Sequence, residues 1–281
     1  MSRFTARRLA NAVMSGLVGL SALVVILPLL LILAFLLYEG VSALTPDFFT
    51  RLPKPVGEPG GGMANAILGT LILIGLAAGL GLPLGVLGGV YLAESRDRGL
   101  PWLVRFMADV LNGVPSIVIG IFAYTLLVLP MRRFSALAGG FALGIIMLPI
   151  VLRTTEELVR LVPASLREAA LALGIPEWKV ILRLVLPTAR AGIITGVMVA
   201  VARIAGETAP LLFTAFGNRF WSVALDQPMA ALPLQIFAYA IAPFDDWHRQ
   251  AWAGALVLIA MILLISVVAR LVTAGRYHPV R

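Results

Sequence analysis

Arg203 and Glu207 are the only charged residues deep inside an apolar stretch of this sequence. Four residues apart on a helix, they share one face. A guanidinium presents two parallel N–H donors that match an oxyanion, and a carboxylate beside it keeps the anion from being trapped. The chemistry this pair supports is reversible anion binding. The same spacing equally fits a structural ion pair fixing the helix against a neighbour, and both readings stand. Charge at the centre of a membrane span costs about 2.5–3.5 kcal/mol, so either role requires Arg203 to face protein or water. A second polar interruption, Asn112-Gly113-Val114-Pro115-Ser116, opens another apolar stretch. It fits a helix break that turns its end dipoles toward an anion, or an interfacial elbow where the chain enters a membrane.

Other chemistry is missing. With no cysteine, disulfides, thiolate metal sites and a cysteine nucleophile are excluded. His248 and His278 are too far apart to ligate a metal from one helix. Pro precedes Lys54 and Trp precedes Lys179, so neither lysine belongs to a phosphate-cradling G-x-x-x-x-G-K-[ST] loop. There is no G-x-S-x-G nucleophile turn.

The elements that must position these residues are membrane helices. Sixty per cent of the 281 residues are hydrophobic and 13% charged, against about 25% charged in soluble domains. So few charges cannot coat a soluble globule of this size. About 20 apolar residues cross ~30 Å of hydrocarbon, and six stretches qualify: Ala12–Leu37, Ala64–Leu92, Val110–Leu129, Ala136–Leu152, Ile193–Phe216 and Ala251–Val272. The first exceeds the ~7–15 residues of a signal-peptide core and stays as a span.

Charge sets the orientation. Of the 22 Lys and Arg residues, 15 fall on the side of the N-terminus, among them Arg3, Arg96, Arg98, Arg105, Arg153, Arg160, Arg276 and Arg281. Six lie opposite, and Arg203 lies within a span. Positive charge stays cytoplasmic, so both termini are expected inside. The net charge of +8 is then an orientation signal, not a nucleic-acid footprint. Trp221, Trp247 and Trp252 are expected in an outer aromatic belt. The outer loop 38–63, with Pro46, Pro53, Pro55 and Pro59, reads as turn-rich. Met229–Ile241 is too short to span and reads as a re-entrant or packed loop helix.

The long cytoplasmic loop 160–187 carries a pattern of its own. Ser165 and Glu168 form an S-x-x-E capping box. Leu166, Ala169, Ala170 and Leu173 share a face, with Arg167 pointing elsewhere. Gly174 is placed to stop the helix, Pro176 to open a second, and Pro187 to end it. The exposed alanines would let a partner approach closely.

Glu168-Ala169-Ala170, Gly174 and Leu184-Val185-Leu186-Pro187 resemble the EAA loop of binding-protein-dependent ABC importer permeases, with Leu184 where the family usually has Ile. Asn112–Tyr124 and Ala202–Thr214 are similar to the third- and fifth-span segments of phosphate permeases of the PstA type, and Leu232–Phe237 to their outer loop. The resemblance implies an all-α, six-span permease of MetI-like architecture. It divides the chain into 1–63 (tail, first span and outer loop) and the permease core 64–281. It further implies that Glu168, Ala169, Ala170 and Gly174 couple to a separate ATPase. Arg203, Glu207, Thr208, Asn112 and Ser116 would line the substrate pathway. Implied partners are membrane lipid, a second permease subunit (PstC type), an ATPase dimer (PstB type) holding ATP and Mg, and an external phosphate-binding protein (PstS type). This chain itself would hold no cofactor. Sulfate or molybdate as cargo, or an ion-coupled transporter working alone, are the competing readings. Glu207 is the only membrane-embedded carboxylate, which disfavours ion coupling.

Overall fold

The computed structural model describes residues 3–55, 58, 60–95, 97 and 99–274. Arg96, Arg98, Arg276, Arg281, His278, Pro59 and the side chain of Arg3 lie outside the described residues. Those described form an all-α chain, with two isolated bridges, Pro53 to Gly61 and Phe216 to Met229.

Helices α1 (Arg3–Val41), α2 (Pro46–Thr50) and α3 (Ala64–Glu94) come first. Next, α4 (Gly99–Gly113) precedes α5 (Ser116–Ala123), which runs through a π turn, Tyr124–Val128, into α6 (Leu129–Met131). Helices α7 (Ala136–Arg160) and α8 (Ala164–Ala172) follow. Then α9 (Glu177–Val180) passes through a π turn, Ile181–Val185, into α10 (Leu186–Ala205). The last are α11 (Ala209–Thr214), α12 (Leu232–Ala240) and α13 (Asp245–Ala274). Among the described residues, five helices are long and apolar enough to cross a membrane, and six if the bent pair at residues 99–131 counts as one span.

The centre is α3 against α7. Gly85 and Gly89 lie so close to α7 that an added Cβ would sit 2.8 Å from Val151 Cβ and 2.6 Å from the Leu152 carbonyl oxygen. With Gly81 they recur every four residues in the sequence, and this period places one smooth face of α3 against α7, as small residues do between membrane helices. Leu73, Leu143, Met147, Val151, Ile204 and Leu211 fill the core around this contact.

Several sequence expectations need correction. The third stretch is not one straight span: α4 meets Ser116–Met131 at 104°. Val114–Pro115 cannot continue α4, because the residue before proline avoids the α region. The chain bends sharply here, as both readings of Asn112–Ser116 require. The fifth span is Glu177–Ala205, not Ile193–Phe216. The apolar run continues past Ala205, but the backbone leaves the helix at Gly206–Thr208. Pro187 does not end a helix. The adjoining π turn shifts the hydrogen-bond register, so the missing N–H of Pro187 falls at the first turn of α10.

The α8 expectations change too. Pro163, not Ser165, is the N-cap of α8, with no side-chain cap, so the capping box does not form. Arg167 points inward, while Leu173 is 80% exposed. Trp247 leaves the expected outer belt: it is buried and stacks on Tyr239 at 4.4 Å. Trp221 and Trp252 remain exposed. The Met229–Ile241 piece is a packed helix, α12, whose Leu232 and Tyr239 join Phe48, Met63 and Trp247 in a second core. Burial pushes the Tyr239 phenol above its ordinary pKa, so it stays protonated.

Candidate functional site

Arg203 occupies the last turn of α10 rather than the middle of a helix. A cation there complements the negative end of the helix dipole. Its side chain is 55% exposed, against 18% for Glu207, and Nε lies 3.9 Å from Glu207 Oε1. That separation is longer than a hydrogen bond. The pair is therefore a loose contact, and the guanidinium is largely exposed.

The break that follows is what places Glu207 and Thr208. Gly206 N–H donates to the Arg203 carbonyl and Glu207 N–H to that of Ile204, closing α10. Thr208 then serves as the N-cap of α11, its carbonyl accepting from Leu211 and Leu212. Helix α11 packs on α5, where an added Cβ at Gly120 would lie 2.6 Å from Pro210 Cα. Only a glycine admits this approach. The two polar interruptions are thus neighbours through packing: Ser116 begins α5 one turn before Gly120, and Pro210 follows Thr208 by two residues. Asn112 is exposed and Ser116 half-buried. The sequence places these motifs 90 residues apart; helix packing joins them.

The loop 160–187 is displayed at the end of the bundle opposite α12. Helix α8 stops at Gly174, whose φ is +77°. Gly174 N–H donates to Leu171 (2.9 Å) and Ile175 N–H to Ala170 (3.3 Å), the paired bonds of a Schellman cap. Glu168, Ala169 and Gly174 are exposed. Ala170 is instead buried beside Val159, Val162, Val180 and Val185. The outward surface is Glu168-Ala169 and the Leu173–Gly174 turn, with Ala170 as the anchor beneath.

Sequence reasoning missed an ionic cluster at the same end. Glu156 is 1% exposed and takes Arg105 Nε at 2.6 Å, Arg160 Nη2 at 2.8 Å and Arg153 Nη1 at 2.8 Å. In the sequence all three arginines read only as charges that orient the chain. The available signal was Arg153, Glu156 and Arg160 at i, i+3 and i+7, one stripe of a helix.

The profile of the family described as "binding-protein-dependent transport system inner membrane component" matches residues 85–275. The chain is 47% identical over 241 residues to the phosphate transport system permease protein PstA of Yersinia pestis, covering 85% of this chain and 82% of that protein. With the protein of the same name from Haemophilus influenzae it shares 44% over 270 residues, covering 96% and 95%. Among solved structures, a bacterial alginate ABC transporter in complex with its alginate-bound periplasmic protein has a chain that aligns with TM-score 0.64. The identity there is 13%, over 94% of this chain and 93% of that one. An inward-facing MetNI methionine ABC transporter aligns at 0.60 with 16% identity, over 77% and 98%. At those identities the two structures speak for the fold.

Proposed function

The chain belongs to the binding-protein-dependent transport system inner membrane component family, and on that premise we propose that it is the transmembrane permease subunit of an ATP-driven importer of inorganic phosphate. The observation that carries this reading is 44% identity to a phosphate permease across nearly the whole of both chains. The open guanidinium of Arg203 supports it, since a planar fork of donors suits a phosphate oxygen pair.

In this reading α8 and its Gly174 turn face the cytoplasm, as do both termini, and α12 lies on the outer side. Arg203, Glu207 and Thr208, with Asn112 and Ser116 on the neighbouring elbow, form this chain's share of a pathway completed by a second permease of the PstC type. A PstS-type binding protein delivers phosphate from outside. Two PstB-type ATPase subunits bind ATP and Mg and receive the Glu168-Ala169 surface. This chain holds no cofactor and catalyses no reaction. Closing of the ATPases moves α8, and the cavity opens alternately to each side. Arg203 binds phosphate through charge, and Glu207 beside it keeps that binding weak enough to release.

The test is uptake by vesicles containing this chain with its partner subunits, supplied with ATP and the external binding protein. Radiolabelled phosphate should accumulate only with ATP, and excess sulfate or molybdate should not compete. Accumulation of sulfate in place of phosphate would reassign the cargo. Accumulation without the ATPase subunits would remove ATP as the driver.

A further inference from the structure

Glu156 is the one fully buried charged side chain among the described residues; two helices meet on it directly and a third through its arginines. Arg105 comes from α4, while Arg153 and Arg160 come from α7 itself. Arg105 and Arg160 also donate to the Leu92 carbonyl of α3, at 2.8 and 3.4 Å. The cluster extends both ways. Toward the elbow, Arg153 Nε reaches Asp109 of α4 at 3.2 Å, three residues before Asn112. Toward α8, Arg167 pairs with Glu94 at 2.9 Å, two residues beyond Leu92. Arg167 also donates to the Val159 carbonyl, next to Arg160, at 2.7 Å. Guanidinium contacts, some to carboxylates and some to backbone carbonyls, therefore run from α8, through the ends of α3 and α7, to the helix ahead of the 104° elbow.

Stability alone does not account for this hub. A buried ionic cluster gains little over a well-packed apolar one, and its best-attested use is to fix a geometry. Helices α3 and α7 already hold each other through the glycine face. Helix α4 has only a small apolar contact, Val104 and Ala108 against Leu92 and Leu152. The ionic hub adds two charged ties from α4 to α7, Arg105–Glu156 and Asp109–Arg153. We propose that Glu156 is a positioning residue through which displacement of α8 moves α4 and so turns the elbow at Asn112–Ser116. The proposal rests on the reading above that α8 receives the ATPase.

The native chain has no cysteine, so spin labels can be placed singly. With Leu84→Cys on α3 and Met107→Cys on α4, both exposed, the label-to-label distance in the complete transporter should change between ATP and ADP. In Glu156→Gln, which keeps volume but puts an amide N–H donor where the guanidinium donors need an acceptor, that change should vanish while the ATPase still co-purifies. Phosphate moved per ATP hydrolysed should fall about fivefold or more, the size expected for loss of a coupling contact. Asp109→Asn, at an exposed site, should lower the same ratio without altering assembly, and Glu156→Asp should recover part of the loss. An ATP-dependent distance change that persists in Glu156→Gln overturns the proposal. So does a wild-type ratio in Asp109→Asn when Glu156→Gln yields no folded protein, because the hub is then structural only. Wild-type vesicles that hydrolyse ATP and show the distance change, yet take up no phosphate, would instead overturn the cargo assignment alone.

Discussion

Arg203 is poised differently from a buried structural arginine. With more than half its side chain exposed and Glu207 at 3.9 Å, the pair contributes at most about 1 kcal/mol to folding. Arg203→Gln should therefore leave protein level and ATPase association unchanged while phosphate uptake falls tenfold or more, since a hydrogen bond to a charged group is worth about 1.5–3 kcal/mol. Arg203→Lys should recover little, because an ammonium is a point charge without the planar fork. Adding Glu207→Gln to Arg203→Gln restores neutrality and separates the roles. Near-normal uptake by that double variant, at matched protein level, would show that the pair was structural. The residue types at this site were legible because charge inside an apolar run is conspicuous. Glu156 was not, because a charge near a span end looks the same in sequence whether it is solvated or buried.

At the scale of helices, the face of α3 makes a sharp comparison. A Cβ at Gly89 would lie 2.6 Å from the Leu152 carbonyl oxygen and from Thr155 Cβ, whereas at Gly75 it meets nothing within 4 Å. Gly89→Ala must push α3 off α7 and should destabilise by about 1–3 kcal/mol, as overpacking does. Gly75→Ala should be neutral or stabilise by up to about 1 kcal/mol through helix propensity. Thermal denaturation of the two variants in detergent measures this. Equal midpoints would mean that the α3–α7 contact is looser than described. The glycine period was readable in sequence; the helix breaks were less so. The residues on both sides of Gly206–Thr208 are largely apolar, so a hydropathy window passes across the break and places Arg203 in the middle of one continuous helix rather than at the end of α10. Pro187 misled for the opposite reason: a proline reads as a stop, and only the neighbouring π turn lets the helix run through it. The Gly174 turn was legible because a left-handed cap has few alternative residues.

For the whole molecule, the first test is which side each end occupies. Helix α8 and the Glu156 hub lie at one end of the bundle, with α12 and the Trp247 cluster at the other. Reporters fused after Gly174 should report cytoplasm, and those after Pro55 or Asp246 the outer side, following the positive-inside bias. One reporter reproducibly reversed would break the six-span arrangement. The fold also bears on the order in which the chain is made. Helix α1 is exposed along most of its length, and Gly16 and Gly19 have nothing within 4 Å of an added Cβ. Its described packing is against α13: Phe35 meets Trp252 edge-on at 5.1 Å, and Gly40 sits beside the Trp252 backbone. During synthesis α1 thus waits for the last helix, about 10–40 s at roughly 5–20 residues per second. Throughout that interval the surface of α13 on which it docks does not yet exist, and a ribosome that stalls before α13 leaves a newborn chain with α1 undocked.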